Sequence, residues 1–284
     1  MPNAFAEPVS GCSVANLADV AAKLNEAVDA RTTAIGDALG ALERSELLGP
    51  SSLPGWSRLT IACHLRYGAQ SLTRMTADAL AGRPTSYYPL GRDVQRPATL
   101  VPGPDETPTA VVGSLGEVSA ALADRWRRLD PTDWNRGVLE PEGQADLGRT
   151  SLAALVLLRL TEVEVHSTDL DLGLPEWSEL FVSTTLPFRL GWLATRRSNH
   201  RQVDETLRGS WLLRAADGPT WFVTVTDDGV QSAPADDGEA ADATIEGRGR
   251  DLLALLLGRP PAGALAVRGD AALAAAFGRA FPGP

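Results

Sequence analysis

From residue 14 to 44, apolar side chains recur at steps of three and four. Leu17, Val20, Leu24, Val28, Ile35, Leu39 and Leu42 share one helical face and predict a long amphipathic helix. GPSSLPG at 49–55 is a loop by its Gly, Pro and Ser content. Ser57 then stands where a cap is needed for a second helix running to about Ala81. Six prolines between residues 84 and 108 predict an extended connection, of the long kind that often lines a site. A third helix is expected over about 109–129, with Val111, Leu115, Val118, Leu122 and Trp126 inward, a fourth over 150–171 and a fifth over 178–199. This order suggests an antiparallel four-helix bundle with one appended helix.

Past residue 200 the periodicity changes. WLLRAA (211–216) and WFVTVT (221–226), separated by a turn-like Asp-Gly-Pro stretch, predict a β-hairpin. SAPADDGEAAD (232–242) reads as a loop. A strand at ATIEG, a helix at DLLALLLG, a strand at ALAVRG and a helix at DAALAAAFGRAF complete a small α+β domain. The fold class is therefore mainly α with α+β: a helical bundle over 14–200 and a small domain over 207–284, with the boundary near 200–207. The sequence carries no internal repeat and no low-complexity tract.

The chain has 284 residues and a formal net charge of −10, which disfavours sequence-independent nucleic-acid binding. Arginine supplies nearly all the positive charge, Lys23 being the one lysine, so carboxylate- or phosphate-holding forks are available. Two cysteines, Cys12 and Cys63, give no disulfide framework and fit a reducing compartment. The N-terminal stretch lacks the features of a signal peptide, and the most apolar run, SLAALVLLRL at 151–160, is too short to span a bilayer. A soluble cytoplasmic protein without membrane contact is expected, either monomeric or homodimeric.

The chain contains three histidines, His64, His166 and His200. His166 follows Glu162 by four positions, which stacks both side chains on one helical face. Leu155 and Arg159 share that face, so it points inward. Asp169 is placed to orient the His166 ring, while Glu164 is expected in solvent and Cys63 in packing. Two imidazoles and a carboxylate form a catalytic zinc set with a position left open. Taken alone, the spacing more often marks a helix-surface pair or a satisfied core pair, and His64 alone more often a core histidine.

Two segments resemble a known family. LPGWSRLTIACHL (53–65) is similar to its loop–Trp–helix segment, and TEVEVHSTDLDLG (161–173) resembles its Glu-Val-x-x-His-x-x-Asp-Leu segment. These mark the mycothiol-dependent maleylpyruvate isomerase family, a branch of the DinB-like helical bundles, with similarity over about 14–200. ADATIEG, LLALLLGR and LAVRGD resemble the sterol-carrier-type domain commonly attached to that bundle. The resemblance implies His64, Glu162 and His166 as ligands of one zinc ion, and mycothiol or a related thiol as co-substrate. It also implies Arg92 (or Arg96) and Arg259 as catalytic, carboxylate-clamping arginines. Tyr87 and Tyr88, in the long loop, are expected to join Arg92 around the cofactor. Where family members often carry Asn, four residues after the first zinc histidine, this chain has Gly68, and Leu72, Thr73, Arg74 and Met75 replace other residues nearby.

A zinc-activated thiolate can add to a conjugated double bond and leave again, isomerising it, or stay on the product. The changes around Gly68 favour S-transfer to a small electrophile over maleylpyruvate cis–trans isomerisation. A metal-free small-molecule binding module and a metal-dependent hydrolase are the readings from other classes. Among the tryptophans, Trp56 is expected to pack its loop on the bundle, Trp126 and Trp134 to fill the far side, and Trp211 and Trp221 to sit on strands. Leu252, Leu253, Leu255, Leu256 and Leu257 are expected in the small domain's core.

Overall fold

A computed structural model describes residues 14–139, 149–194, 204–236 and 238–283. Cys12, His200 and positions 195–199 of the expected fifth helix lie outside the described residues, as do positions 200–203 of the expected boundary. Residues 14–139 with 149–181 form one compact unit, and the described residues from 182 onward form another.

The first unit is built from α1 (Val14–Gly40), the short α2 (Arg44–Leu47), α3 (Arg58–Leu80), α4 (Arg92–Thr99), α5 (Pro108–Arg127) and α6 (Leu152–Asp169). A 3-10 turn at Pro131–Asn135 and the antiparallel pair β1 (Gly137–Leu139) and β2 (Arg149–Ser151) lead into α6. Helix α1 packs on α5 and α6, and α3 packs on the same two, which closes the antiparallel four-helix bundle. Hydroxyl caps start three of these helices. The Ser57 side chain accepts from Thr60 N, Thr107 from Ala110 N and Ser151 from Ala154 N, each satisfying an orphan N–H of the first turn.

The core contains Leu24, Ile35 and Leu39 of α1, Ile61 and Leu65 of α3, Leu115 and Trp126 of α5, and Leu155 of α6, all essentially inaccessible. Each such Leu or Ile contributes about 1.5–3 kcal/mol by leaving water. Trp126 donates its indole N–H to Thr76 Oγ1 at 3.0 Å, so the far-side tryptophan is packed and satisfied. Trp134 is buried as well. Helix α6 is buried on nearly every face, which explains why SLAALVLLRL lacks a polar side.

The proline-rich stretch is not wholly extended: α4 lies inside it. Gly91, at φ 87°, turns the chain into the helix, and Gln95 Oε1 accepts from Leu90 N at 2.7 Å. Pro97 lies inside this short helix and contributes no N–H to it, so the Asp93 carbonyl receives no bond from position 97.

Helix α7 (Glu179–Gly191) contains the division between the units. In the second unit follow β3 (Gly209–Ala215), β4 (Thr220–Thr226), β5 (Gly229–Pro234), β6 (Ala243–Gly247), α8 (Gly249–Leu256), β7 (Ala266–Gly269) and α9 (Ala271–Ala280). The sheet order is β5-β4-β3-β6-β7, with β3 and β6 parallel and the other pairs antiparallel. Trp211 faces Val223 and Leu213 faces Trp221 in the expected hairpin. Leu252, Leu253, Leu256 and Leu257 are buried, and Phe277 and Phe281 set their rings edgewise against Trp211. Ser232–Pro234, expected in a loop, instead end β5: pairing with the edge of β4 satisfies backbone groups without an apolar alternation to announce it. Among the described residues no helix is long and apolar enough to cross a membrane.

Candidate metal centre

His64 enters the bundle from α3, two turns after the Ser57 cap, and Glu162 and His166 enter from α6. His64 Nε2 lies 2.7 Å from Glu162 Oε2, and His166 Nε2 lies 3.5 Å from the same oxygen. The imidazole centroids are 5.0 Å apart and nearly perpendicular. One ligand atom from each of the three residues lies within 4.8 Å of the others. This donor set fits a single zinc ion at bonds of about 2.0–2.2 Å after small side-chain adjustments. The Glu162 side chain is 43% exposed, so the set opens on one side.

Asp169 Oδ2 lies 2.9 Å from His166 Nδ1 and leaves Nε2 facing Glu162. Partial desolvation works against the Glu162 carboxylate, but hydrogen bonds from His166 and His64 outweigh it and hold its pKa well below the ordinary range. Burial lowers the His64 pKa, which Glu162 only partly opposes. For His166 burial also disfavours the proton, but Asp169 and Glu162 prevail and raise its pKa.

Trp56 is a wall of this centre as well as a loop anchor. Its ring stacks along His166 at 6.0 Å and meets His64 edgewise at 5.5 Å. Arg96 of α4 places its guanidinium carbon 5.6 Å from the Trp56 ring centre. Arg92, one turn earlier, is exposed. Its charge and that of Arg96 both act on Tyr88.

The chain's three tyrosines form one cluster beside the centre: Tyr67 stacks on Tyr88 at 5.3 Å, and Tyr87 meets Tyr88 at 4.8 Å. Tyr67 Oη, Ser71 Oγ and Arg74 Nη2 all donate to the backbone carbonyl of Tyr87. The long loop is thereby fastened to α3. Sequence reading missed Tyr67, Ser71 and Arg74 in this role; their i, i+4, i+7 spacing was the available signal.

Arg159, one turn before Glu162, is 1% exposed. It donates to the Leu65 carbonyl at 2.8 Å and to Ser119 Oγ at 3.2 Å. Gly68 faces this group: a Cβ there would lie 3.0 Å from both Arg159 Nη1 and the Tyr87 hydroxyl oxygen. Cys63 is packed out of solvent, and burial pushes its thiol up to about 11, which leaves it inert.

Glu164 corrects the expectation of a solvated side chain. It is 1% exposed and pairs with Arg31 of α1 at 2.7 Å, while Ser178 donates to its other oxygen. With α1 and the 175–178 segment covering this face of α6, an acidic residue off the metal-bearing side is buried too. Arg259 stands just past α8, in the second unit, and donates to the Leu257 carbonyl at 3.4 Å.

The model of the mycothiol maleylpyruvate isomerase N-terminal domain matches residues 16–171, and that of the SCP-2 sterol transfer family matches residues 196–282. Crystal structures of the mycothiol-dependent maleylpyruvate isomerase and of a histidine-to-alanine mutant of it are similar to this chain. Each is 18% identical at a TM-score of 0.62 and covers 86% of this chain and 91% of its own. At that identity the likeness shows a shared fold. No curated protein matches the chain.

Proposed function

Because the chain belongs to the mycothiol maleylpyruvate isomerase family, we propose that it is a zinc enzyme using mycothiol to isomerise a small unsaturated keto diacid of the maleylpyruvate type. The observation that carries this reading is the convergence of His64, Glu162 and His166 with Asp169 behind His166. Zinc bound there would take the thiol sulfur and lower its pKa, making thiolate available near neutral pH. The chain's own residues then have separable tasks. Asp169 fixes the His166 tautomer, and Trp56 shields both imidazoles from water. Arg96 and Arg92 would offer cations to substrate carboxylates, and Tyr87 and Tyr88, the latter within reach of both arginine charges, would contact the thiol cofactor. Arg259 enters through the resemblance alone, as a further carboxylate-binding cation. The place of action is the cytoplasm, with the chain as monomer or homodimer.

Isomerisation takes precedence over S-transfer here because the family match favours it. S-transfer is the second reading, favoured by Gly68: with Arg159 and Tyr87 at its Cβ position, the pocket floor differs from one floored by Asn. The test is metal analysis of wild type and His166→Ala, followed by assays with mycothiol. One zinc per wild-type chain, none in the variant, and mycothiol-dependent turnover of maleylpyruvate are expected. Conjugation of a model electrophile without isomerisation would select S-transfer. Absence of zinc from the wild type would leave the metal-free binding module.

A further inference from the structure

Arg159 is the buried charge that the reading above leaves without a task. Its guanidinium forms no ion pair among the described residues, and its Nε has no hydrogen-bond partner there. A buried cation left so is costly unless an anion stands nearby. Its anionic neighbour is Glu162, whose charge acts on both Arg159 and Tyr87. The missing side chain of Gly68 is what lets Arg159 and the Tyr87 hydroxyl approach the α3 backbone, one turn past His64. Tyr87 is also held from behind, since three side chains of α3 grip its carbonyl. Its hydroxyl makes no hydrogen bond among the described residues, so this donor is unspent.

Resting on the thiol-addition reading, we propose that the Tyr87 hydroxyl is the hydrogen-bond donor to the substrate oxygen on which negative charge collects, with Arg159 as its positioning residue and Gly68 as the position that admits both. In the addition step the thiolate sulfur bonds to the alkene carbon, and the π electrons move through the conjugated system onto the carbonyl oxygen. Tyr87 keeps its proton and donates a hydrogen bond to that oxygen; elimination reverses every shift after rotation about the new single bond. Burial and the nearby Glu162 charge raise the Tyr87 pKa well above its ordinary value, so the phenol stays a donor at working pH.

Four variants and two probes test this. Tyr87→Phe keeps ring and packing and removes only the donor. Loss of such a donor lowers kcat by about 10²–10³-fold, with zinc content and the KM for mycothiol unchanged. Gly68→Ala touches neither side chain chemically but pushes on both; it should lower kcat with Tm held, since Ala is the better helix former. Arg159→Met should resemble Tyr87→Phe in kcat, with Arg159→Lys recovering part of the loss. The second probe is oxalate, a planar dianion resembling the enolate of a keto acid, titrated into zinc-loaded protein and followed by calorimetry. Wild type should bind it about tenfold more tightly than Tyr87→Phe. Turnover within threefold of wild type in Tyr87→Phe would overturn the assignment while leaving the proposed function intact. In a wild type without thiol-dependent turnover, the proposed function fails and oxalate decides alone: weaker binding by Tyr87→Phe supports the donor, and equal or absent binding removes it.

Discussion

Nδ1 of His166 lies 2.9 Å from Oδ2 of Asp169, one turn further along α6, and this contact settles which nitrogen the ring turns toward Glu162. The backbone carbonyl of Asp169 also accepts from Ser52 N at 2.8 Å, tying the 49–55 loop, and with it Trp56, to the same helix end. Asp169→Ala frees the ring to rotate and to change tautomer. Zinc affinity should fall about 10–100-fold, the usual effect of losing such a carboxylate. Asp169→Asn, whose amide oxygen still accepts, should fall in between. Competition with a chromophoric chelator measures both, and unchanged affinity in the alanine variant would sink the orienting role.

The opposed shifts of the two imidazoles predict how pH acts. His166 holds its proton more firmly than a free histidine, whose pKa is about 6.5, because of Asp169 and Glu162, despite burial. In metal-free protein that extra stability is fully present below the ordinary value and is lost as pH rises through the raised folded value. His64, lowered by burial, acts oppositely: folding is penalised as pH falls through the ordinary histidine range. Metal binding needs both rings neutral, so stabilisation by zinc should grow as pH rises through the His166 transition. Thermal melts with and without zinc across that range should therefore diverge toward high pH. In Asp169→Asn the divergence should begin at lower pH.

Arg31 and Glu164 join α1 to α6 away from the metal. Their 2.7 Å pair is buried on both sides, and Arg31 also donates to the carbonyls of Pro175 and Glu176 at 2.8 and 2.9 Å. Glu164→Ala leaves a guanidinium without its counter-charge in the interior, a loss of about 3–5 kcal/mol. The double change Arg31→Met with Glu164→Leu removes both charges and should recover much of it. Urea denaturation of the two variants tests this. Equal losses would mean that the cost lies in packing and not in the stranded charge.

The bundle was legible because its apolar steps of three and four are long and its hydroxyl caps stand at the starts of α3, α5 and α6. The grouping of Glu162, His166 and Asp169 was legible because one helical face carries all three, whereas His64, on α3, was joined to them only through the family resemblance. What stayed hidden depends on contacts between distant segments. Glu164 looked solvated because nothing in TEVEVH reveals that Arg31, 133 positions earlier, lies against it. Trp56 looked like a loop anchor, since its approach to both imidazoles depends on how the 49–55 loop closes over α6. Helix α4 was obscured by the prolines on either side of it, and β5 by backbone pairing that leaves little trace in side-chain pattern.

Arg92 and Arg96 lie one turn apart on α4 in different surroundings. Arg92 is exposed at the start of the helix, whereas Arg96 is half-buried over Trp56, and its charge reaches His64. A cation stacked on an aromatic face gains about 0.5–1 kcal/mol at such a site and gives up rotamer freedom, which prepares it for a carboxylate. Removing it should cost a charge-assisted hydrogen bond of about 1.5–3 kcal/mol, or roughly 10–100-fold in affinity for an acidic substrate. The expected pattern is a raised KM for the acid in Arg96→Ala with kcat little changed, as when binding is lost equally from ground and transition states. Arg92→Ala should change KM less than about threefold, and that effect should fade with added salt, as screening of an exposed charge requires. Steady-state kinetics at two ionic strengths distinguishes the arginines, and a larger, salt-insensitive effect at Arg92 would make Arg92 the substrate-binding cation instead.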